Sequence, residues 1–152
     1  MDRVNRILRS EEYSRLLDKI DEGEKDRIYC KHAITHLLDV ARMMYIEVLE
    51  KGIDLDKEVV YATALLHDIG RAVSNDNHAE ESAKIAIHML RFAGFDEQEI
   101  SMVEEAILSH RTGSNTLLGD LLYRNDKLSR NCFYCPSQGT CKWKIKNEGI
   151  ER

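Results

Sequence analysis

Apolar residues along this chain recur at steps of three and four, the spacing that lines one face of a helix. The first such stretch carries Val4, Ile7, Leu8, Leu16 and Leu17 to about Ile20, and residues 21–26, with Gly23 among them, read as its terminating turn. A second helix is predicted from about Lys31, with Ala33, Leu37, Val40, Met44 and Val48 at helical spacing. Gly52 is placed to supply the left-handed residue that closes it. A third is predicted over about 56–68, stopping at Gly70. The polar run Ser74-Asn75-Asp76-Asn77 then offers capping side chains for a fourth over 78–92, ended by Gly94. Asp96 caps a fifth, with Ile100, Val103 and Ile107 on one face, and after Gly113-Ser114-Asn115 a sixth runs through Leu118, Leu121 and Leu122.

Beyond Arg130 the periodicity fades into a tail that holds three of the four cysteines, the only proline and the only tryptophan. A single proline and few alternating stretches argue against a substantial sheet. The predicted fold class is therefore all-α, a compact bundle of about six helices with a short cysteine-containing C-terminal tail. The 152 residues suffice for one hydrophobic core, so one domain over 1–152 is expected, its core at about 32–130 and the segment 131–152 packed on it.

Composition narrows the partners. With 43% hydrophobic and 32% charged residues and a formal net charge of -5, the chain reads as globular and offers no general attraction to nucleic acid or anionic membrane. No run approaches the roughly 18 apolar residues of a membrane span, and the charged N-terminal stretch lacks a signal-peptide core. A cytoplasmic protein acting on a small molecule is expected, with no long nucleic acid and no membrane as partner.

Several polar residues then stand out because of where the helices put them. His110 continues the stripe Ile100, Val103, Ile107, His36 borders the stripe of Leu37 and Val40, and Asp126 lies one turn after Leu122. An inward-facing carboxylate is costly unless it is paired or coordinates a metal, so a group of inward His and Asp residues points to a shared cation.

The segments His36-Leu-Leu-Asp-Val40-Ala41, Ala64-Leu-Leu-His67-Asp68-Ile-Gly70 and Asn125-Asp126-Lys127-Leu128 together resemble the H…HD…D signature of the HD superfamily of metal-dependent phosphohydrolases. The resemblance covers roughly residues 32–130. It implies that His36, His67, Asp68 and Asp126 hold one divalent transition metal, with Fe, Mn, Co, Ni and Zn all compatible with imidazole and carboxylate donors. His78 and His110 occupy places where dinuclear members put further ligands, which implies a second ion with Asp68 bridging. The implied activity is hydrolysis of a phosphoester or phosphoanhydride bond in a small molecule such as a nucleotide, by a metal-activated water. Two other outcomes on the same scaffold are a di-iron oxygenase and a non-catalytic nucleotide- or metal-binding module. The chain departs from the pattern at two positions: Arg111 stands where some dinuclear relatives have a second histidine, and Arg71 where mononuclear nucleotidases have a glutamate.

Arg71 and Arg111 are expected phosphate binders, since guanidinium clamps two phosphoryl oxygens, and Lys127 is expected to assist them and Asp68 in catalysis. His32, one helical turn before His36, gives an HxxxH pair, but Ala33 fills the place of a zinc-protease base and removes that reading. His88 matches nothing and is expected to face solvent. Finally, Cys132-Phe-Tyr-Cys135 with Cys141 gives three thiols within ten residues. Joined by Cys30 they form a four-sulfur set suited to a structural zinc ion or an Fe–S centre.

Overall fold

The chain's structure, a computed structural model, describes residues 1–143, Asn147 and Gly149. Among these it contains seven α-helices, three short 3₁₀ turns and no strand. The seventh helix arises from a break in the first amphipathic stretch. Helix α1 (Asp2–Leu8) and α2 (Glu11–Gly23) are separated by Ser10, whose extended backbone stops the spiral. Its hydroxyl donates to the Ile7 carbonyl at 2.7 Å and accepts from the Tyr13 N–H at 3.2 Å, so one side chain ends one helix and caps the next. Apolar periodicity runs through such a break unchanged, because both helices face the same core.

Helix α3 (Ile34–Lys51) starts three residues later than the periodicity predicts. The Glu24 carboxylate takes the His32 backbone N–H at 2.7 Å and its ring Nδ1 at 2.6 Å, which holds the segment before Ile34 out of the helix. Gly52 closes α3 with φ +60° as expected. Helix α4 (Lys57–Leu66), capped by Asp56, is the central element: seven of its residues, Val59, Val60, Ala62, Thr63, Ala64, Leu65 and Leu66, are buried. Each such leucine contributes about 1.5–3 kcal/mol by leaving water.

Helix α4 ends at Leu66, so His67 and Asp68 lie in the turn that follows it, before a 3₁₀ turn over Ile69–Ala72. Gly70 serves close approach rather than handedness. A Cβ there would lie 2.3 Å from the His78 carbonyl oxygen and 2.3 Å from the Ser82 nitrogen, and its own N–H donates to Ser82 Oγ at 2.8 Å. The turn is thereby seated against α5 (His78–Ala93). The expected side-chain cap of that helix is absent: Asn77 makes no such bond, and the turn before it is held instead by the Asn75 carbonyl on His78 Nδ1 and by the Ser74 hydroxyl, which accepts from the Asn77 N–H.

Asp96 and Glu99 form a reciprocal capping box on α6 (Glu97–Ser109), and Thr116 caps α7 (Leu117–Leu128). Met44, Leu65, Leu66, Ile69, Leu90, Ile107 and Leu121, drawn from α3 to α7 and the turn after α4, meet in one core. The tail forms 3₁₀ turns at Cys132–Tyr134 and Gln138–Thr140 and lies against the segment before α3: Ser137 Oγ donates to the Ile28 carbonyl at 3.0 Å and Tyr29 OH to the Thr140 carbonyl at 3.2 Å. Among the described residues no helix is long and apolar enough to cross a membrane.

Candidate metal centre

The side chains expected to hold metal come from five helices or their ends. His36 lies in the first turn of α3, His67 and Asp68 just after α4, His78 at the start of α5, His110 just after α6, and Asp126 in the last turn of α7. They form two groups whose ligand atoms lie within 4.8 Å of one another: His36, His67, Asp68 and Asp126, and Asp68, His78 and His110. Asp68 belongs to both. Its Oδ2 lies 3.2 Å from His67 Nε2, and its Oδ1 lies 3.3 Å from His78 Nε2 and 3.8 Å from His110 Nε2.

Three histidines are aimed by the same device. Nδ1 of His67, His78 and His110 lies 2.7, 2.9 and 2.6 Å from the carbonyl oxygen of the residue three before it, Ala64, Asn75 and Ile107. A carbonyl only accepts, so Nδ1 carries the proton in each and Nε2 presents its lone pair inward. For His36 the partner of Nδ1 is Ser129 Oγ at 3.3 Å, a hydroxyl whose own proton goes to the Asp126 carbonyl at 2.9 Å.

The electrostatics agree with a cation site. Burial pushes Asp68 up, but the charges of His67, His32 and Arg71 outweigh it and hold the carboxyl well below its ordinary range. Asp126 behaves alike: burial is overcome by His36, Arg130, His67 and Lys127. Burial, with the charge of His67 behind it, lowers His110 to about 4, and burial also lowers His78. Burial pushes His67 down as well, yet the charges of Asp68 and Asp126 prevail and raise it. The carboxylates are thus ionised and ask for positive charge where His67 stands. Among the described residues Nε2 of His36 and of His67 are buried without a hydrogen-bond partner, orphaned nitrogens of the kind that a bound ion satisfies in place of a proton. The residues present fit a divalent cation.

Around this centre lies a cavity of about 330 Å³ whose wall includes Arg27, Arg71, Arg111, Lys127 and Arg130. Arg71 Nε donates to Asp68 Oδ1 at 2.8 Å and its terminal nitrogen lies 3.2 Å from His78 Nε2, so the guanidinium lies against the second group of ligands. Lys127 pairs with Asp126 Oδ2 at 2.6 Å, and Arg111 is exposed, reaching the Asp76 carbonyl at 3.3 Å.

Three residues here were not singled out from sequence as part of the centre. His32 is buried with Nε2 3.7 Å from Asp68 Oδ2, backed by Glu24 on its other nitrogen, and burial lowers its pKa despite that carboxylate. The HxxxH spacing was the available signal for His32; nothing signalled Glu24. Arg130, in no motif, reaches Asp126 at 3.3 Å and packs 4.8 Å from the Trp143 ring centre. His88 faces solvent as expected, its side chain 73% exposed.

The four cysteines line another cavity, of about 350 Å³, whose wall also includes His36, Ser129 and Arg130. Among the described residues the sulfur atoms form no group of three within 4.8 Å, so the tight convergence expected of a preformed zinc site is not present. Burial pushes the Cys30 thiol up, with Arg130 opposing.

A family model described as HD domain matches residues 33–132, about two thirds of the chain. The chain belongs to the HD domain family. HD domains make up a superfamily of metal-dependent phosphohydrolases, and the buried His/Asp cluster gives this one a site for divalent metal. An uncharacterized protein of Clostridium beijerinckii is 40% identical over 146 residues, covering 94% of this chain and 93% of its own length. An uncharacterized protein of Methanocaldococcus jannaschii is 32% identical over 80 residues, 51% of this chain and 46% of its own. No solved structure matches the chain with significance. The HD domain match stops at Cys132, which leaves the rest of the cysteine tail outside it.

Proposed function

We propose that this protein hydrolyses a phosphoester or phosphoanhydride bond of a small molecule, of the nucleotide class. The observation that carries the reading is the pairing of a buried His/Asp cluster with a wall of cations in a chain that is acidic overall. A net charge of -5 repels phosphate in general, so five basic side chains around one cavity are a local provision for an anion. The volume of about 330 Å³ suits a small phosphorylated compound.

His36, His67, Asp68 and Asp126 would hold one ion, and His78 and His110 with the second oxygen of Asp68 another. When bound, such ions supply Lewis acidity and an activated water at neutral pH. The remaining work belongs to the chain. The carbonyl-bound Nδ1 protons keep the imidazoles oriented, and Asp68 stays ionised. Arg71 is close enough to exchange Asp68 for a phosphoryl oxygen, where its fork neutralises developing charge. Lys127 and Arg111 add charge at the rim.

The test is phosphate release from a panel of nucleotides and sugar phosphates by protein reconstituted with Mn, Fe or Co, alongside His67→Ala and Asp68→Ala. Release by the parent and its loss, with loss of bound metal, in both variants is the expected result. No release by the parent, or equal release by the variants, overturns the reading. Oxygen consumption without phosphate release would instead assign the centre to oxygenase chemistry.

A further inference from the structure

The fold collects four cysteines that the His/Asp centre does not use. Cys30 lies in the segment before α3. Cys132 opens the first tail turn, Cys135 follows it and Cys141 follows the second. The bonds of Ser137 to Ile28 and Tyr29 to Thr140 bring the tail to Cys30, and the four half-buried thiols face one cavity of about 350 Å³.

Size and charge say what fits there. A single zinc ion binds thiolates at about 2.3 Å, which in a tetrahedron sets sulfur atoms about 3.8 Å apart. These sulfur atoms form no group of three within 4.8 Å, and the cavity that their residues line is large beside the roughly 30 Å³ of one water. An iron–sulfur cube places four irons and four sulfides between its cysteines and holds them farther apart than one ion does. The charge argument comes from Arg130, which is buried in the wall shared with the His/Asp cavity. One terminal nitrogen reaches Asp126, while among the described residues Nε and the other terminal nitrogen are buried without a hydrogen-bond partner. Asp126 already faces the charge, and the two remaining buried N–H groups call for acceptors, which thiolate and sulfide sulfur provide and neutral thiols provide only weakly.

We propose that Cys30, Cys132, Cys135 and Cys141 ligate a four-iron, four-sulfide cluster, with Arg130 between it and the catalytic cavity. Its four thiols lose their protons to solvent on binding, and preassembled cluster is the co-reactant that supplies iron and sulfide. This inference is independent of the phosphohydrolase reading and stands or falls apart from it.

The full chain, purified without oxygen, is assayed for acid-labile sulfide, iron and zinc, and for a dithionite-dependent electron spin resonance signal. The expected result is about four sulfides per chain with a visible charge-transfer band, retained in the His67→Ala/Asp68→Ala double variant and lost in Cys135→Ser. Should Cys135→Ser fail to fold, sulfide content and the reduced-state spectrum of the parent and double variant decide alone. Absence of labile sulfide overturns the proposal. In that case one zinc per chain would assign a zinc site, and no metal would leave four thiols.

Discussion

Asp68 is the residue on which the centre turns, because its two oxygens face different sets of histidines. Around it, His32 and Glu24 form a supporting pair: the Glu24 carboxylate fixes the His32 proton on Nδ1 and leaves Nε2 toward Asp68. Supporting groups of this kind typically cost 10–100-fold in metal affinity or activity when lost. His32→Gln and Glu24→Gln are therefore each expected to weaken metal binding or turnover by about that factor. Metal titration followed by kinetics checks this, and unchanged values in both would reduce the pair to packing. Arg71→Lys keeps the charge but not the fork, and on the phosphohydrolase proposal is expected to raise KM about tenfold or more. An unchanged KM would mean that Arg71 serves Asp68 alone. The six proposed ligands were legible in sequence because each sits in a motif or on a helical stripe. Glu24 and Arg130 were not, since their partners lie on other segments and no periodicity marks them.

Between residue and domain, the turn after α4 does the positioning. Gly70 lets it sit on the backbone of α5, so Gly70→Ala forces backbone apart where a Cβ has 2.3 Å. Overpacking of this kind costs about 1–3 kcal/mol, and here it also displaces His78 from Asp68. A lowered melting temperature together with weakened metal binding is expected; a parent-like melt would show that the contact yields easily. Helix α1 is tied to α4 by Arg3, whose Nε lies 2.8 Å from Glu58 Oε2. Burial pushes Glu58 up, but Arg3 outweighs it and brings the carboxyl to about 2 from 4.5. A carboxyl lowered on folding stabilises above its unfolded value, so this contribution is complete above about pH 4.5 and lost as pH falls toward 2. Glu58→Gln should flatten that part of the acid-unfolding curve measured by circular dichroism, and an unchanged curve would refute it. Helices such as α3 and α6 were legible from period and caps. The break at Ser10 was not, because the decision lies in one hydroxyl while the apolar stripe continues on both sides.

For the domain as a whole, the centre is the meeting point of α3, α4, α5, α6 and α7, so the two proposed ions, sharing Asp68, would together tie five helices. Free metal at a hundred times its dissociation constant adds about 2.7 kcal/mol. A domain of this size gains about 2–4 °C per kcal/mol, so chelator-stripped protein should melt about 5–10 °C lower than reloaded protein. Equal melting temperatures by calorimetry would argue that the ligands do not bind metal in the folded chain. The all-helical architecture was readable from composition and period together. The placement of the tail was not, because it depends on hydrogen bonds from Ser137 and Tyr29 that leave no pattern in sequence. The wide separation of the ligands along the chain, from residue 36 to residue 126, also has a bearing on time. No contiguous segment carries enough of them to capture an ion while the chain is still unfolded, unlike a zinc finger, and closing loops of that length is slow compared with forming helices. On the ribosome the four-ligand group waits for α7 to emerge, so an ion held there would arrive late and report closure of the helical bundle.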